Sequence, residues 1–146
     1  GSGYFGTYDG QAHAATATVT GVGGAVVGQL VSNSTHTNAG TYSDTLTYTD
    51  QTGNYNNASK VVKSYILKAS VTLTGAGLNG SGYFGTYDGQ AHAATATVTG
   101  VGGVVLGQVV SGTTHTNAGV YSDTVTFLGD ANYKAASKVL KSYIIA

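Results

Sequence analysis

The sequence predicts an all-β protein made of two tandem β-sandwich domains, and three observations carry that prediction. Thr, Ser, Gly, Ala, Val and Tyr dominate the composition, a set that favours strands and turns. Apolar residues alternate with Thr along several short segments, which is the two-residue period of a strand with one buried face. The chain also contains one long segment twice, with a period suited to a small sandwich domain.

The internal repeat predicts the domain boundaries. Residues 1–24 recur without change as residues 80–103, and the similarity continues to the last strand, apart from one residue deleted in an Asp/Gly/Asn-rich loop. We therefore expect one domain over residues 1–68 and a second over residues 69–146. The segment 70–79 has no counterpart before residue 1. We expect the first domain to lack its opening strand and the chain to be an excerpt of a longer array.

The strands follow from alternation and from turn signals. Ala15, Ala17 and Val19 alternate with Thr, so they predict a strand with its Thr side chains facing solvent. Three glycines in the segment Gly21–Gly24 predict a turn. The remaining strands of the first repeat are predicted at 25–32, 41–49 and 58–68, and the second domain is predicted to open with a strand at 70–74.

A short motif before one strand of each repeat predicts a tyrosine corner. In that feature, a Tyr near the start of the penultimate strand donates its hydroxyl hydrogen to the preceding turn. Tyr42 follows Gly40 at the required spacing, and Tyr121 follows Gly119 in the second copy. We expect both glycines to supply the turn geometry.

The chain also resembles a known family. The motifs TYDG (7–10), ATATVTG (15–21), NAGTY (38–42), GNYN (53–56) and ILKA (66–69) occur in this order, and the second copy shows YDG (87–89), NAG (117–119) and GDANY (129–133). Together they are similar to the mostly bacterial immunoglobulin-like (MBG) repeats and the related YDG repeats. The resemblance implies an immunoglobulin-like sandwich in long arrays on secreted or surface-attached bacterial proteins, and it brings no catalytic residues with it. Proline is common in such repeats but absent here.

Composition excludes several classes of partner. All six acidic residues are Asp, all six strong bases are Lys, and the formal net charge is zero. Six scattered lysines do not form the basic face that a nucleic acid needs, and they do not form an electrostatic membrane patch. The absence of Cys excludes disulfides and thiolate metal sites. We predict no cofactor, no nucleic-acid partner and no membrane insertion.

The acidic and histidine residues are interpreted as structural. Asp9-Gly10 and Asp88-Gly89 predict tight turns in which the carboxylate accepts backbone N–H bonds. A calcium site is the alternative, but each repeat has only three separated Asp residues. Asp44 and its counterpart Asp123 lie on an inward strand face, so we expect a Tyr, Thr or backbone partner for each. The recurring histidines, His13, His36, His92 and His115, are expected at strand ends or turns as local hydrogen-bonding groups.

These observations predict a structural protein without catalytic, cofactor-binding or metal-binding residues. We expect a stalk or fibre repeat of a long extracellular bacterial protein, an adhesin or surface filament, that forms a semi-rigid rod. Its partners would be neighbouring repeats, and also other copies that add a strand to an open sheet edge. A glycan- or receptor-binding adhesion module is the alternative. The aromatic cluster of Tyr4, Phe5 and Tyr8 would carry that binding, although core or interdomain packing is the favoured interpretation of these three residues.

Overall fold

The computed structural model describes residues 1–146 and shows an all-β protein. The chain divides into two compact units, Gly1–Lys68 (unit 1) and Ala69–Ala146 (unit 2). The helical residues of the chain lie in three short 3₁₀ turns at Val22–Gly24, Leu78–Gly80 and Val101–Gly103. None of these turns is long or apolar enough to span a bilayer.

Unit 2 is a β-sandwich of two three-stranded sheets. Its strands are β6 (Thr72–Gly75), β7 (Tyr83–Thr86), β8 (His92–Thr99), β9 (Val105–His115), β10 (Gly119–Phe127) and β11 (Ala136–Ile145). One sheet has the order β6-β8-β9 and the other the order β10-β11-β7. All pairs are antiparallel except β7 with β11, which is parallel.

The core of unit 2 lies between its two sheets. Alternate residues of β8 point inward, so Ala94, Ala96 and Val98 are buried while the Thr residues between them are half-buried. They pack against Leu73 from β6, and against Val125 and Leu140 from the opposite sheet. The inward alternation predicted from the sequence therefore produces the observed core.

Unit 1 repeats this arrangement without an equivalent of β6. Its strands are β1 (Tyr4–Thr7), β2 (His13–Thr20), β3 (Val26–His36), β4 (Gly40–Tyr48) and β5 (Ala58–Leu67). They form a sheet of order β1-β5-β4 and a two-stranded sheet of β2 and β3. The buried cluster is smaller than in unit 2 and consists of Ala15, Leu46 and Val62.

Two elements differ from the prediction. β3 extends to His36, beyond the predicted end at residue 32, because a register shift lets its last residues pair with the start of β2. Residues 4–7 form β1, which was not predicted as a strand. Phe5 in β1 is 65% exposed, so core packing within unit 1 is the wrong interpretation for that side chain.

The connection between the units contains very little unstructured chain. In unit 1, the carbonyl of Leu67 accepts a hydrogen bond from the Tyr8 amide at 2.7 Å. In unit 2, the Ala69 amide donates to the Asn132 carbonyl at 2.9 Å. Only Lys68 lies between these two anchored residues.

Candidate functional site

Each unit carries two His–Asp pairs at one end of the sandwich. In unit 1, His13 opens β2 and His36 closes β3, and the two residues are opposite each other in the strand register. His92 and His115 are placed in the same way in unit 2. The cross-strand pairing thus brings together two histidines that are 23 residues apart in the sequence.

The first pair joins the YDG turn to β2. The His13 Nε2 atom lies 2.9 Å from an Asp9 carboxylate oxygen, and its ring stacks on Tyr4 at a centroid distance of 4.1 Å. The Gln11 amide donates to the same carboxylate at 2.9 Å, across a turn in which Gly10 has a φ of 78°. This is the backbone bond expected of the Asp-Gly turn, with the histidine as an additional partner.

The surroundings of this carboxylate lower its pKa. The hydrogen bond from His13 lowers the pKa of Asp9 most, and the Gln11 amide lowers it further. The pKa of Asp88 is lowered in the same way by His92 and Gln90. Both carboxylates therefore hold their charge into acid solution.

The second pair connects the two sheets. Asp44 in β4 is only 8% exposed, and both of its carboxylate oxygens lie 3.0 Å from the His36 Nε2 atom in β3. Asp123 and His115 form the same contact at 3.0 and 2.8 Å. The partner is a histidine rather than the Tyr, Thr or backbone group expected from the sequence. The reason is that β3 and β4, although joined by a short loop, belong to different sheets, and the packing of the two sheets decides which side chain faces Asp44.

The tyrosine hydroxyls bond as a tyrosine corner requires. Tyr42 donates to the Asn38 carbonyl at 2.6 Å, and Tyr121 donates to the Asn117 carbonyl at 2.7 Å. Gly40 lies at the start of β4, and a Cβ there would approach the Tyr42 hydroxyl to 3.2 Å. Gly119 has the same relation to Tyr121, at 3.1 Å. The missing side chain therefore makes room for the ring.

An acidic loop residue in each unit was not identified from the sequence. Asp50 accepts hydrogen bonds from the Tyr48 hydroxyl at 2.6 Å and from the Gly53 and Tyr55 amides at 2.8 and 3.2 Å. These donors, the Tyr48 hydroxyl first, hold the pKa of Asp50 well below its usual range, and the same contact raises the pKa of Tyr48. In unit 2, Asp130 accepts from the Asn132 and Tyr133 amides, both at 2.9 Å. The Asp, Gly and Asn residues of this loop, which favour turns, were the available signal.

These side chains do not form a metal centre. No group of three or more His or Asp side chains in residues 1–146 is arranged to hold a metal ion. The Asp residues are instead hydrogen-bonded to histidines or to loop amides, which ties turns and sheets together.

A groove in unit 1 has a volume of about 240 Å³ and lies between residues of β2 and the start of β5. The surface that lines it is mostly apolar, and Lys60 is one of the lining residues. The main side chains that line it are Ala17, Val19, Leu30, Leu46, Tyr48 and Tyr55.

The same surface of unit 2 is covered by β6. Leu73 of that strand packs in one cluster with Ala96, Val98 and Val125, which are the counterparts of Ala17, Val19 and Leu46. The groove of unit 1 is therefore lined by counterparts of residues that pack with Leu73 of β6 in unit 2.

Comparison of the chain with protein-family models, with curated proteins and with solved structures gives no match.

Proposed function

We propose that the chain is a non-catalytic structural segment of a bacterial extracellular fibre or stalk, in which tandem immunoglobulin-like repeats form a semi-rigid rod. The observation that carries this proposal is the connection at Lys68. The chain leaves a hydrogen-bonded strand of unit 1 at Leu67 and is hydrogen-bonded again in unit 2 at Ala69, with a single residue between them. A repeat joined in this way gains reach without a flexible linker.

Two further features support the proposal. The motifs occur in the same order as in MBG and YDG repeats. That resemblance implies that the chain belongs to an array of repeats on the bacterial surface. The histidines and the turn and strand carboxylates are paired within each unit, where they tie strands and turns together. Both features suit a repeat that serves as a spacer.

Small-angle X-ray scattering on the whole chain tests the rod. The native chain should give a narrow distribution of maximum dimensions, because one residue between two folded units allows little bending. A variant with ten Gly and Ser residues inserted after Lys68 should give a visibly broader distribution. Equal distributions for the two proteins would contradict the proposal.

Force spectroscopy on the whole chain, held at its two ends, tests its load-bearing capacity. A fibre repeat should unfold in two separate events, each lengthening the chain by the extended length of one unit, roughly 24 or 27 nm, less the length of that unit when folded. A single gradual extension without force peaks would contradict a role as a fibre segment.

An adhesion module for glycans is a second candidate, favoured by one observation. The exposed Phe5 ring lies against Tyr65 on the next strand at a centroid distance of 6.1 Å, and Phe84 and Tyr143 repeat the pair at 5.8 Å. Exposed aromatic pairs offer sugars an apolar surface. A glycan array should lose its signal with a Phe5→Ala and Phe84→Ala double variant and keep it with a Val26→Ala and Val105→Ala double variant, which changes exposed residues of β3 and β9 in the opposite sheets. No signal with the native chain would reject this candidate.

A further inference from the structure

We infer that the outer face of the β10-β11-β7 sheet in unit 2 is a binding site for a carboxylated sugar, the hexuronic acid unit of an acidic polysaccharide. In this site the apolar face of the sugar ring lies on Phe84 and Tyr143, and the Lys141 ammonium donates to the carboxylate. The inference rests on the adhesion candidate described above and deepens it, because it names the class of glycan and the residue that selects it.

The first observation is an apolar strip that crosses the three strands on their outer face. Val120, Tyr143 and Phe84 are direct neighbours in the strand register. Val120 is 62% exposed and Phe84 is 45% exposed, with strand β6 and the 3₁₀ turn Leu78–Gly80 of unit 2 in place. The Phe84 and Tyr143 rings lie side by side at a centroid distance of 5.8 Å. Exposed rings of this kind offer an apolar surface to the C–H groups of a sugar.

The second observation is a lysine on the same face as the two rings. Leu140, Ser142 and Ile144 of β11 are buried, so Lys141 and Tyr143 between them point outward. Two residues along a strand are about 7 Å apart. Lys141 is therefore the next outward neighbour of Tyr143, and its ammonium is placed beside a sugar ring that lies on the aromatic pair.

The charges of the chain leave this lysine free for a ligand. The ion pairs of the chain all join a His to an Asp, and none involves a Lys. Asp123, the one carboxylate of β10, points inward to His115, and β7 and β11 contain no acidic residue. The outward side chains of this sheet thus carry one positive charge and no negative charge, which favours an anionic ligand over a neutral one.

The third observation is a cavity beside these residues. It has a volume of about 370 Å³, and its lining includes Phe84, Lys141 and Tyr143. Small-molecule sites have volumes of roughly 300–1,000 Å³. Asn79 also lines the cavity, its backbone has a left-handed φ of 57°, and no hydrogen bond to its side-chain amide is seen. The amide therefore offers a donor and an acceptor to sugar hydroxyl groups.

The number of charges distinguishes a carboxylated sugar from other polyanions. A nucleic acid needs several cations along its backbone, and this face has one. A hexuronic acid has one carboxylate on each ring, which matches one ammonium beside one aromatic pair. Unit 1 presents the same residue types, since Phe5 and Tyr65 are register partners and Lys63 precedes Tyr65 by two positions. It serves as an internal comparison for changes made in unit 2.

Oligosaccharides that differ only in charge test the inference on the whole chain. The probes are trimers of galacturonic, glucuronic and mannuronic acid, and the control for each is its methyl ester, in which the carboxylate is blocked and the ring is unchanged. NMR titration read on Phe84, Lys141 and Tyr143 should show saturable binding of an acid and about tenfold weaker binding of its ester, because a charge-assisted hydrogen bond is lost. Raising the salt concentration from about 0.02 M to about 0.5 M should weaken binding of the acid and leave the ester unaffected.

Matched variants locate the site. Lys141→Gln should weaken binding of the acid in unit 2 about tenfold, to the level of the ester, and leave the shifts of Tyr65 in unit 1 unchanged. Lys134→Gln removes the same charge from the exposed loop between β10 and β11 and should leave binding of both sugars unchanged. Phe84→Ala should weaken acid and ester alike, since both lie on the rings.

Three results would overturn the inference. These are equal binding of acid and ester, equal effects of Lys141→Gln and Lys134→Gln, and no shifts at Phe84 and Tyr143 with any of the three acids. A glycan array that still responds to the Phe5→Ala and Phe84→Ala double variant would then retain the adhesion candidate with a neutral glycan. The scattering and force results do not depend on sugar binding, so the proposals fail separately.

Discussion

At the scale of single residues, the tyrosine corner is the contact that sequence spacing predicted most directly. Tyr42 and Asn38 are four residues apart, so the bond between them depends on local backbone geometry alone. The bond holds the turn between β3 and β4 against the first residues of β4. Its role is therefore one of stability.

Replacing Tyr42 with Phe should lower the free energy of unfolding of unit 1 by about 1 kcal/mol, since one hydrogen bond is lost and the ring remains. NMR-detected urea titration, read on resonances of unit 1, measures the change. Tyr65→Phe is the control, because no hydrogen bond is seen for the Tyr65 hydroxyl, and it should change the stability by less than about 0.3 kcal/mol. Equal losses in the two variants would contradict a specific role for the corner.

The paired carboxylates predict how stability depends on pH. The pKa values of Asp9 and Asp88 are lowered from 3.8 by histidine hydrogen bonds in the folded protein. A group whose pKa is lower in the folded state contributes stability above its unfolded pKa, and that contribution disappears as the pH falls through the folded pKa. These two residues should therefore stabilise the chain at pH 5 and contribute nothing at very low pH.

A double variant, Asp9→Asn with Asp88→Asn, tests this dependence. Its urea midpoint should be below that of the native chain at pH 5, and the two midpoints should converge as the pH is lowered below about 3. Asn keeps an acceptor for the turn amide, so the comparison isolates the charge. A constant difference between the two proteins from pH 5 to pH 2 would show that the paired charge is not the cause.

At the scale of elements, the duplication places the same strand in two environments. β8 lies between β6 and β9, whereas β2 pairs only with β3. The two strands have the same residues, so differences between them reflect their neighbours alone. The chain thereby provides its own matched control for the contribution of the opening strand.

Val98→Ala should cost about 2 kcal/mol in unit 2, because it removes two buried methyl groups from a closed core. Val19→Ala makes the same change on the groove wall of unit 1 and should cost less than half as much, since Val19 is partly exposed to water. Urea titration followed separately on each unit by NMR gives both values. Equal costs would mean that β6 does not determine the burial of this position.

At the scale of the whole molecule, two units with similar sequences have unequal cores. The buried cluster of unit 2 has six residues from four strands, and that of unit 1 has three. A small domain without disulfides has a low free energy of unfolding. The difference between the two cores should therefore produce a measurable difference in the stability of the two units.

Unit 1 should therefore unfold at a lower urea concentration than unit 2 in the intact chain. Tyr48 and Phe127 are counterparts that differ between the units, so their ring resonances report on each unit separately. Unfolding of both units at one midpoint would contradict the prediction.

The sequence by itself determined the all-β class, the inward alternation of β2 and β4, the Asp-Gly turns and the spacing of the tyrosine corner. All of these depend on residues close together in the chain, where period and turn chemistry decide the structure. The partner of Asp44 and the strand β1 were decided only by the tertiary structure. β1 pairs with β5, about 60 residues away in the chain, and a pairing over that distance leaves no periodic signal in the sequence. The partner of Asp44 is only eight residues away, but the packing of the two sheets decides which side chain faces the carboxylate.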